Sequence, residues 1–438
     1  MSPSIRRPKR ARVLIAVAAV VVALVSNSPA VHAAPAAPAA VTDYCQGQCN
    51  DILPPGTTGT ATLAQILAFK ALGIRPAHTD DQLATYTKLV DDYTSLTNAK
   101  LGQYFNDSSF GVPSGQVAST IRPGGRSDVT IVRDKATGTP HITGTTRDGT
   151  EYGAGYAAGQ DRLWMMDVFR HVGRGQLTSF AGGAQSNRTL EQEFYLNGAY
   201  TEADLQAQVE RVAASGPRGA QAFQDMTSYL AGLNRYIADA KAGAYFPGEY
   251  DLTGNANILT GDGIQPFKAT DLVAIGTVIG ALFGAGGGNQ VASALVKVAA
   301  DAKYGSAHGD AVWQAFREEN DPEADLTLHS GQTFPYGASP AHPDGVAMPD
   351  AGSVTPQQVV FDPTGSATSN ATKAKGVLPA DLFTAKHGMS NALVVGGAHT
   401  DSGHPVAVFG PQTGYFAPQL LMLEEIQGPG LSARGAAF

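Results

Sequence analysis

The sequence predicts an α+β protein in which a largely helical first part is followed by a spacer and then by strands. Apolar residues recur at helical spacing over much of the range 60–328. From Gly337 to Lys386 the chain is dominated by Pro, Gly, Ser, Thr and Ala, so this stretch offers no core. After the spacer, Ala392 to Val395 form an apolar run closed by two glycines, which predicts a strand buried on both faces. A second strand is predicted from Pro405 to Phe409.

Helices account for most of the first part of the chain. Two apolar stripes between Thr60 and Leu101 have three-and-four spacing, and we expect both to be packing surfaces. The first stripe consists of Leu63, Ile66, Leu67 and Phe69. Two strands, Val129 to Val132 and His141 to Thr146, are predicted to form a hairpin. Further helices are predicted at 160–174, 202–242, 270–304 and 305–328, with a glycine-rich break after Gly284.

Charged side chains lie among apolar ones in the helix predicted from Gln160 to Arg174. The four charged residues in question are Asp161, Arg162, Asp167 and Arg170. Asp161 and Arg162 could act as a catalytic acid and an anion-binding group. We favour a structural role, because buried charge pairs of this kind fix geometry more often than they react. His141 and His171 have no metal-ligand set around them in the sequence, so we expect both to be structural.

Ser390 is the candidate nucleophile. It lies where the exposed spacer runs into a predicted strand, so the bond between Met389 and Ser390 is a candidate cleavage site. Cleavage there would leave a hydroxyl and a new α-amine on the same residue. An α-amine has a pKa of about 8 and can serve as the base for its own hydroxyl. Such a residue requires no His or Asp partner.

Two other interpretations of Ser390 compete with this one. The segment Gly388 to Ala392 is close to the G-x-S-x-G elbow, but that motif ends a strand and begins a helix, whereas here a loop precedes a strand. The other interpretation is an ordinary hydroxyl at a strand edge. The tripeptide Ser369-Asn370-Ala371 shows that the same residues also occur where no strand is predicted.

Two motifs far apart in the chain are similar to those of one enzyme family. The first, Asp134 to Gly182, contains a Pro-His-Ile strand, a turn at Gly153 to Tyr156 and Gln-Asp-Arg-Leu-Trp on a helix. The second is Ser390 to Val395, followed by Gly410 to Gly414. Both resemble the penicillin acylase family of N-terminal nucleophile hydrolases, and the resemblance covers Ser127 to Phe438. It implies the four-layer αββα fold, incomplete here, and maturation into an α chain and a β chain that form a heterodimer.

The resemblance also implies roles for individual residues. Ser390 would attack the carbonyl of Met389, pass through an ester and release its own amine, and then attack a substrate amide. Asn391 would position the start of the new chain. The backbone of Gln412 would form a hydrogen bond near the amine of the nucleophile. Met389 replaces the glycine that is common before the cut, which would alter the rate of processing.

The substrate implied by the resemblance is an acyl amide of a small molecule. Ile279 and Phe283 would line its acyl pocket, although ordinary helix packing explains them equally well. A β-lactam side chain, an acyl-homoserine lactone and a lipopeptide acyl tail all remain open as substrates. We expect no cofactor, and Asn289 stands where calcium-binding members carry an acidic residue, which argues against a calcium site.

The N-terminus predicts export. Residues 1–33 combine five basic residues with a thirteen-residue apolar run, too short for a membrane span, and a small-residue cleavage site, as in a signal peptide. Removing them changes the net charge from 30 − 38 = −8 to 25 − 38 = −13, which argues against nucleic acid and anionic membranes as partners. We therefore expect a secreted or periplasmic protein without a stable membrane anchor. In that setting Cys45 and Cys49 are expected to form a local disulfide.

The predicted organisation is a signal peptide (1–33), an N-terminal loop (34–59), a mostly helical first chain (60–330), a spacer (331–389) and the start of the nucleophile chain (390–438). In the family that the chain resembles, the nucleophile chain is the longer one, so we expect a truncated precursor that is inactive by itself. The alternative function is a catalytically incomplete or non-catalytic protein that binds an acyl ligand or a protein partner.

Overall fold

The computed structural model describes residues 49–51, 60–77, 79, 88–89, 92–197, 200–243, 246–254, 263–284, 289–317, 390–411 and 419–437. The predicted signal peptide and spacer, and with them Cys45, Met389 and Gln412, lie outside the described residues. The chain divides into two compact units. The first comprises Met1–Val278 and Ala374–Phe438, and the second comprises Ile279–Lys373.

The elements of the described residues are as follows. The strands are β1 (Asn50–Asp51), β2 (Asn106–Asp107), β3 (Val117–Ile121), β4 (Val129–Asp134), β5 (Pro140–Gly144), β6 (Ser390–Val395), β7 (Val406–Pro411), β8 (Met422–Gly428) and β9 (Leu431–Ala437). The α-helices are α1 (Leu63–Leu72), α2 (Arg147–Val172), α3 (Leu177–Ala181), α4 (Gln185–Asn197), α5 (Glu202–Ala214), α6 (Pro217–Gly243), α7 (Ala269–Gly284), α8 (Asn289–Tyr304) and α9 (Ser306–Arg317). The predicted α+β class is confirmed.

A five-stranded sheet lies at the centre of the first unit, with the strand order β3-β4-β5-β8-β9. Strands β4 and β5 pair antiparallel, which confirms the predicted hairpin. Strand β8 pairs in parallel with β5, in a register that places His141 opposite Glu425 and Ile142 opposite Ile426. Strand β9 then pairs antiparallel with β8. The sheet therefore joins strands from both sides of the spacer.

Helix α2 packs against this sheet and is buried over nearly its whole length. It begins after Thr146, whose hydroxyl oxygen accepts a hydrogen bond from the Gly149 N–H at 2.8 Å. The turn predicted at Gly153 to Tyr156 is wrong, because these residues belong to the helix. Their glycines allow close packing instead: a Cβ on Gly155 would lie 1.8 Å from the carbonyl oxygen of Tyr229 in α6.

The other helix predictions have mixed outcomes. Helices α5 and α6 confirm the helical range 202–242, and α7 and α8 confirm two helices separated after Gly284. The first predicted packing stripe is wrong for most of its members, since Leu63, Leu67 and Phe69 are exposed and only Ile66 is buried. Helix α1 contacts the short 3₁₀ turn Gly248–Thr253. Lys70 of α1 forms a salt bridge with Asp251 of this turn at 2.6 Å.

In the second unit, α8 and α9 form a helical hairpin. The connecting Gly305 has a φ of +77°, which favours glycine. Lys297 pairs with Asp301 and Asp310 and lies 5.5 Å from the ring centre of Trp313, so one cation joins both helices. Helix α9 confirms the last predicted helix as far as Arg317, where the described range ends. In neither unit does the described part of the chain contain a helix long and apolar enough to cross a membrane.

Candidate active site

Ser390 is the first residue of strand β6, as the sequence predicts. Strand β6 pairs antiparallel with β7, so that Ser390 lies opposite Pro411. The chain between the two strands turns through Gly403, which has a φ of +70°, and the Thr400 hydroxyl donates to the His404 carbonyl at 2.7 Å. Because a strand and not a helix follows Ser390, the G-x-S-x-G elbow is excluded.

The prediction that this strand is buried is wrong. Leu393 is 58% exposed, Val394 is 63% exposed and Val408 on the paired strand is 69% exposed. Strands β6 and β7 form a two-stranded sheet of their own. Two strands cannot cover both of their faces, so an apolar sequence does not by itself make β6 a buried strand.

The pairing of β6 with β7 places the predicted supporting residues relative to Ser390. Asn391 lies opposite Gly410 on β7. Pro411, the residue opposite Ser390, directly precedes Gln412 in the sequence. Gln412 and Met389 themselves lie outside the described residues, so their predicted roles stay predictions.

The predicted pocket residues Ile279 and Phe283 both lie on α7. Ile279 is half-buried, and Asn289 begins α8. Within the described ranges, no group of three or more His, Cys, Asp or Glu side chains could hold a metal ion. Cys49 is disulfide-bonded, whereas Cys45 lies outside the described residues.

The four charged residues singled out on α2, Asp161, Arg162, Asp167 and Arg170, are buried and have polar partners, as expected for a structural role. Arg133 of β4 bonds to the Asp161 carboxylate at 2.9 Å. Burial raises the pKa of Asp161 in spite of the neighbouring arginines, and burial lowers the pKa of Arg162 to about 10. Arg162 donates to two backbone carbonyls, those of Asp161 and Leu421. It thereby connects α2 to the segment that enters β8.

A second buried network ties the end of α2 to the start of α7. The Asp167 carboxylate accepts from Arg170 at 2.6 Å and from the Tyr250 hydroxyl at 2.8 Å. Asp271, in the first turn of α7, bonds to Arg174 at 2.7 Å and lies 3.4 Å from Arg170. The network therefore holds in place the first turn of the helix that carries Ile279 and Phe283.

A third buried cluster lies on the face of the sheet away from α2, and sequence reasoning missed it. The cluster consists of His141, Glu425, Asp134 and Arg434, and we call it the Glu425 cluster. His141 Nδ1 lies 2.7 Å from Glu425 Oε2, and His141 Nε2 lies 3.4 Å from Asp134 Oδ2. Burial alone would lower the pKa of His141, but the hydrogen bonds to Asp134 and Glu425 outweigh it and raise that pKa. No local pattern points to this cluster, because His141 and Glu425 are 284 residues apart.

Two further carboxylates have unusual surroundings. Burial raises the pKa of Glu249 to about 7, and its Oε1 accepts from the Ala61 N–H at 2.6 Å. Burial, together with repulsion from Glu151 and Asp161, raises the pKa of Glu424 to about 7. Glu424 and Glu425 are neighbours on β8 whose side chains point to opposite faces of the sheet. Glu424 therefore faces Glu151 and Asp161, whereas Glu425 faces His141.

The α+β architecture, with Ser390 as the first residue of a strand, is consistent with the fold of N-terminal nucleophile hydrolases. The chain belongs to the penicillin amidase family, whose family model matches residues 128–438. This family comprises amide hydrolases. A thermostable penicillin G acylase from Alcaligenes faecalis is similar in structure, at 22% identity and a TM-score of 0.36, over 47% of this chain and 98% of that chain. No curated protein matches the chain.

Proposed function

We propose that the chain is an exported precursor that cuts itself before Ser390 and then hydrolyses the acyl-amide bond of a small molecule. The observation that carries the proposal is that, in a member of the penicillin amidase family, Ser390 is the first residue of a strand behind a long spacer. A residue at this place can become a chain start without any rearrangement of the strand that follows it.

Maturation begins with an N-to-O acyl shift, in which the acyl group of Met389 moves from the backbone nitrogen of Ser390 to the side-chain oxygen of Ser390. Ser390 Oγ attacks the Met389 carbonyl carbon, the C–N bond breaks, and an ester between Met389 and Ser390 forms. Water then hydrolyses this ester. The products are a carboxylate on Met389 and a free α-amine on Ser390.

In the mature enzyme the same serine attacks the substrate. The α-amine of Ser390 takes the hydroxyl proton as Oγ adds to the amide carbonyl, and it passes this proton to the leaving amine. Water, deprotonated by the same amine, releases the acyl group as an acid. Asn391 and the backbone of Gln412 position the chain start. The pairing of Ser390 with Pro411 supports this arrangement, because it brings the chain before Gln412 next to Ser390.

The proposed substrate is a linear amide with an apolar acyl group, such as a β-lactam side chain, an acyl-homoserine lactone or a lipopeptide acyl tail. Ile279 and Phe283 would line the acyl pocket on α7, whose first turn the Asp271 network holds in place. No cofactor is required by this chemistry. Calcium is not part of the proposal, since Asn289 replaces an acidic ligand.

We further propose a secreted or periplasmic location, with the two products of the cut remaining together as a heterodimer. The bonded state of Cys49 supports an oxidising compartment. The negative charge of the chain after removal of residues 1–33 argues against nucleic acid and anionic membrane surfaces as partners.

Intact mass and N-terminal sequencing of the protein made from its own gene test the proposal. We expect a chain that begins Ser390-Asn391-Ala392, and a Ser390→Ala variant that is not cut. An uncut product with Ser390 in place would contradict the proposal. It would favour the alternative of a non-catalytic protein that binds an acyl ligand or a protein partner.

A further inference from the structure

The five-stranded sheet is built from both sides of the proposed cut. Strands β3, β4 and β5 precede Ser390, whereas β8 and β9 follow it, and β5 and β8 are the neighbours at the boundary. The cut separates residues 390–438 of this sequence, here called the small fragment, from the residues before it. The inference below rests on the proposed function, because only a cut chain needs a device that holds this fragment.

We infer that Glu425 is the residue that anchors the small fragment to the rest of the protein in its correct register. Only 1% of Glu425 is exposed. Its Oε2 accepts from the Gly111 N–H at 2.8 Å and lies 2.7 Å from His141 Nδ1, so two groups from before the cut bind one carboxylate from after it. Arg434 of the small fragment lies 3.7 Å from the same oxygen.

The charges of the Glu425 cluster balance across this boundary. Asp134 and Glu425 supply two negative charges, and Arg434 and a protonated His141 supply two positive ones. These are the charged groups that face His141, from β4, β8 and β9. If Glu425 loses its charge, a buried cation is left without compensation, which is costlier than the loss of a surface ion pair.

Other contacts across the boundary, such as the β5–β8 pairing and the hydrogen bond from Arg162 to the Leu421 carbonyl, are made to backbone groups of the fragment, which every residue carries. Leu420, Met422 and Leu423 are buried apolar residues, and apolar burial is non-directional, so it does not by itself select one alignment. Arg147 donates to the Gly430 carbonyl at 3.1 Å, a contact with backbone alone. A slip of β8 by one residue would turn every side chain to the opposite face. Glu425 would then join Glu151 and Asp161, and Glu424 would replace it beside His141.

The N-terminal segment completes the anchor. Gly111 donates to Glu425, and Arg434 donates to the backbone carbonyls of Ser109 and, at 3.2 Å, Asp107. These residues precede residue 128, where the family match begins. The segment before the match therefore contributes directly to retention of the small fragment.

The test separates retention from self-cleavage. A recognition site for a specific protease is inserted into the spacer (331–389) of the full chain carrying Ser390→Ala, so that the added protease makes the only cut. Size-exclusion chromatography then shows whether the small fragment elutes with the rest of the protein. We expect co-elution, and we expect Glu425→Gln to weaken retention on the order of a hundredfold.

Glu424→Gln is the matched control, because it makes the same change one residue away on the opposite face of β8. We expect it to retain the fragment fully. Circular dichroism of each uncut chain shows whether the variant folds. Equal retention in the Glu425→Gln and Glu424→Gln proteins would overturn the inference, as would immediate loss of the fragment from the protein with Glu425 in place.

Retention of the small fragment can also be measured over a range of pH in the cut protein with Glu425 in place. This measurement tests the role of the Glu425 cluster even if the Glu425→Gln variant does not fold. The pKa of His141 in the folded protein is raised above its ordinary value of about 6.5. Protonated His141 therefore contributes fully to retention of the small fragment below that pH, and this contribution is lost as the pH rises through the raised pKa. We expect retention to fall as the pH rises above about 6.5. Retention that does not change with pH would contradict the proposed role of the Glu425 cluster. Failure of self-cleavage would appear separately, as an uncut chain that still contains Ser390.

Discussion

Strands β6 and β8 both follow the proposed cut, yet their surroundings are opposite to what their compositions suggest. Strand β6 is apolar, and Leu393 and Val394 on it are more than half exposed. Strand β8 carries two adjacent glutamates, and Glu425 is almost fully buried. The difference lies in their neighbours: among the described residues β6 pairs only with β7, whereas β8 lies between β5 and β9 in the larger sheet. Burial of a strand thus depends on what the rest of the chain places beside it.

Truncation of one apolar side chain on each strand gives the largest expected difference. Met422 on β8 is 1% exposed, so Met422→Ala should lower the free energy of unfolding by about 2–5 kcal/mol. Leu393 on β6 is 58% exposed, so Leu393→Ala should change it by less than ~0.5 kcal/mol. Urea unfolding followed by circular dichroism measures both values. Equal losses in the two variants would remove the contrast between the strands.

Neutralisation of Glu424 should have a smaller effect that depends on pH. The folded pKa of Glu424 is raised to about 7, so the folded state holds its proton more tightly than the unfolded state, and stability is lost as the pH rises through 7. Glu424→Gln removes this loss. We expect it to raise the free energy of unfolding by ~1–3 kcal/mol at about pH 8 and to change it little at about pH 4.

Urea midpoints at the two pH values measure this difference. Glu249 has a raised pKa of about 7 for a similar reason, so Glu249→Gln in the same background shows how much of the remaining pH dependence belongs to that residue. An equal gain for Glu424→Gln at both pH values would mean that repulsion and burial do not act on a titrating carboxylate at this place.

The smallest expected effect is in the turn between β6 and β7. Gly403 has a φ of +70° with no atom close to its missing Cβ, so Gly403→Ala should destabilise the hairpin by about 1 kcal/mol through backbone strain alone. Gly396 has an ordinary φ of −65° and equally open surroundings, so Gly396→Ala is the control and should cost little. Amide hydrogen exchange in β6 and β7 reports the local change. Faster exchange in both variants to the same extent would show that φ is not the cause.

Local sequence patterns were sufficient for the elements that depend on local pairing. The hairpin of β4 and β5, the helices of 202–242 and the strand that begins at Ser390 all follow from periodicity and turn residues. Patterns were not sufficient where distant contacts decide the outcome. Gly153 and Gly155 lie within a helix, and their missing side chains let the sheet and Tyr229 approach closely, which no window of sequence records.

The candidate site shows the same division. The position of Ser390 at the start of a strand could be predicted from the sequence, and the buried pairs of α2 could be predicted from charges on an apolar helix. The Glu425 cluster could not, because it depends on the parallel register of β5 and β8. His141 was predicted to be structural, but its sequence neighbours gave no indication of the carboxylate that binds it.

The parallel pairing of β5 with β8 also sets an order of events during synthesis. His141 and Glu425 are 284 residues apart, and a ribosome adds roughly 5–20 residues per second. One edge of β5 therefore stays without its partner strand β8 for tens of seconds, until β8 has been synthesised. An unpaired edge of this kind recruits other strands, so the nascent chain is most vulnerable to aggregation in this interval and should depend most on chaperones then.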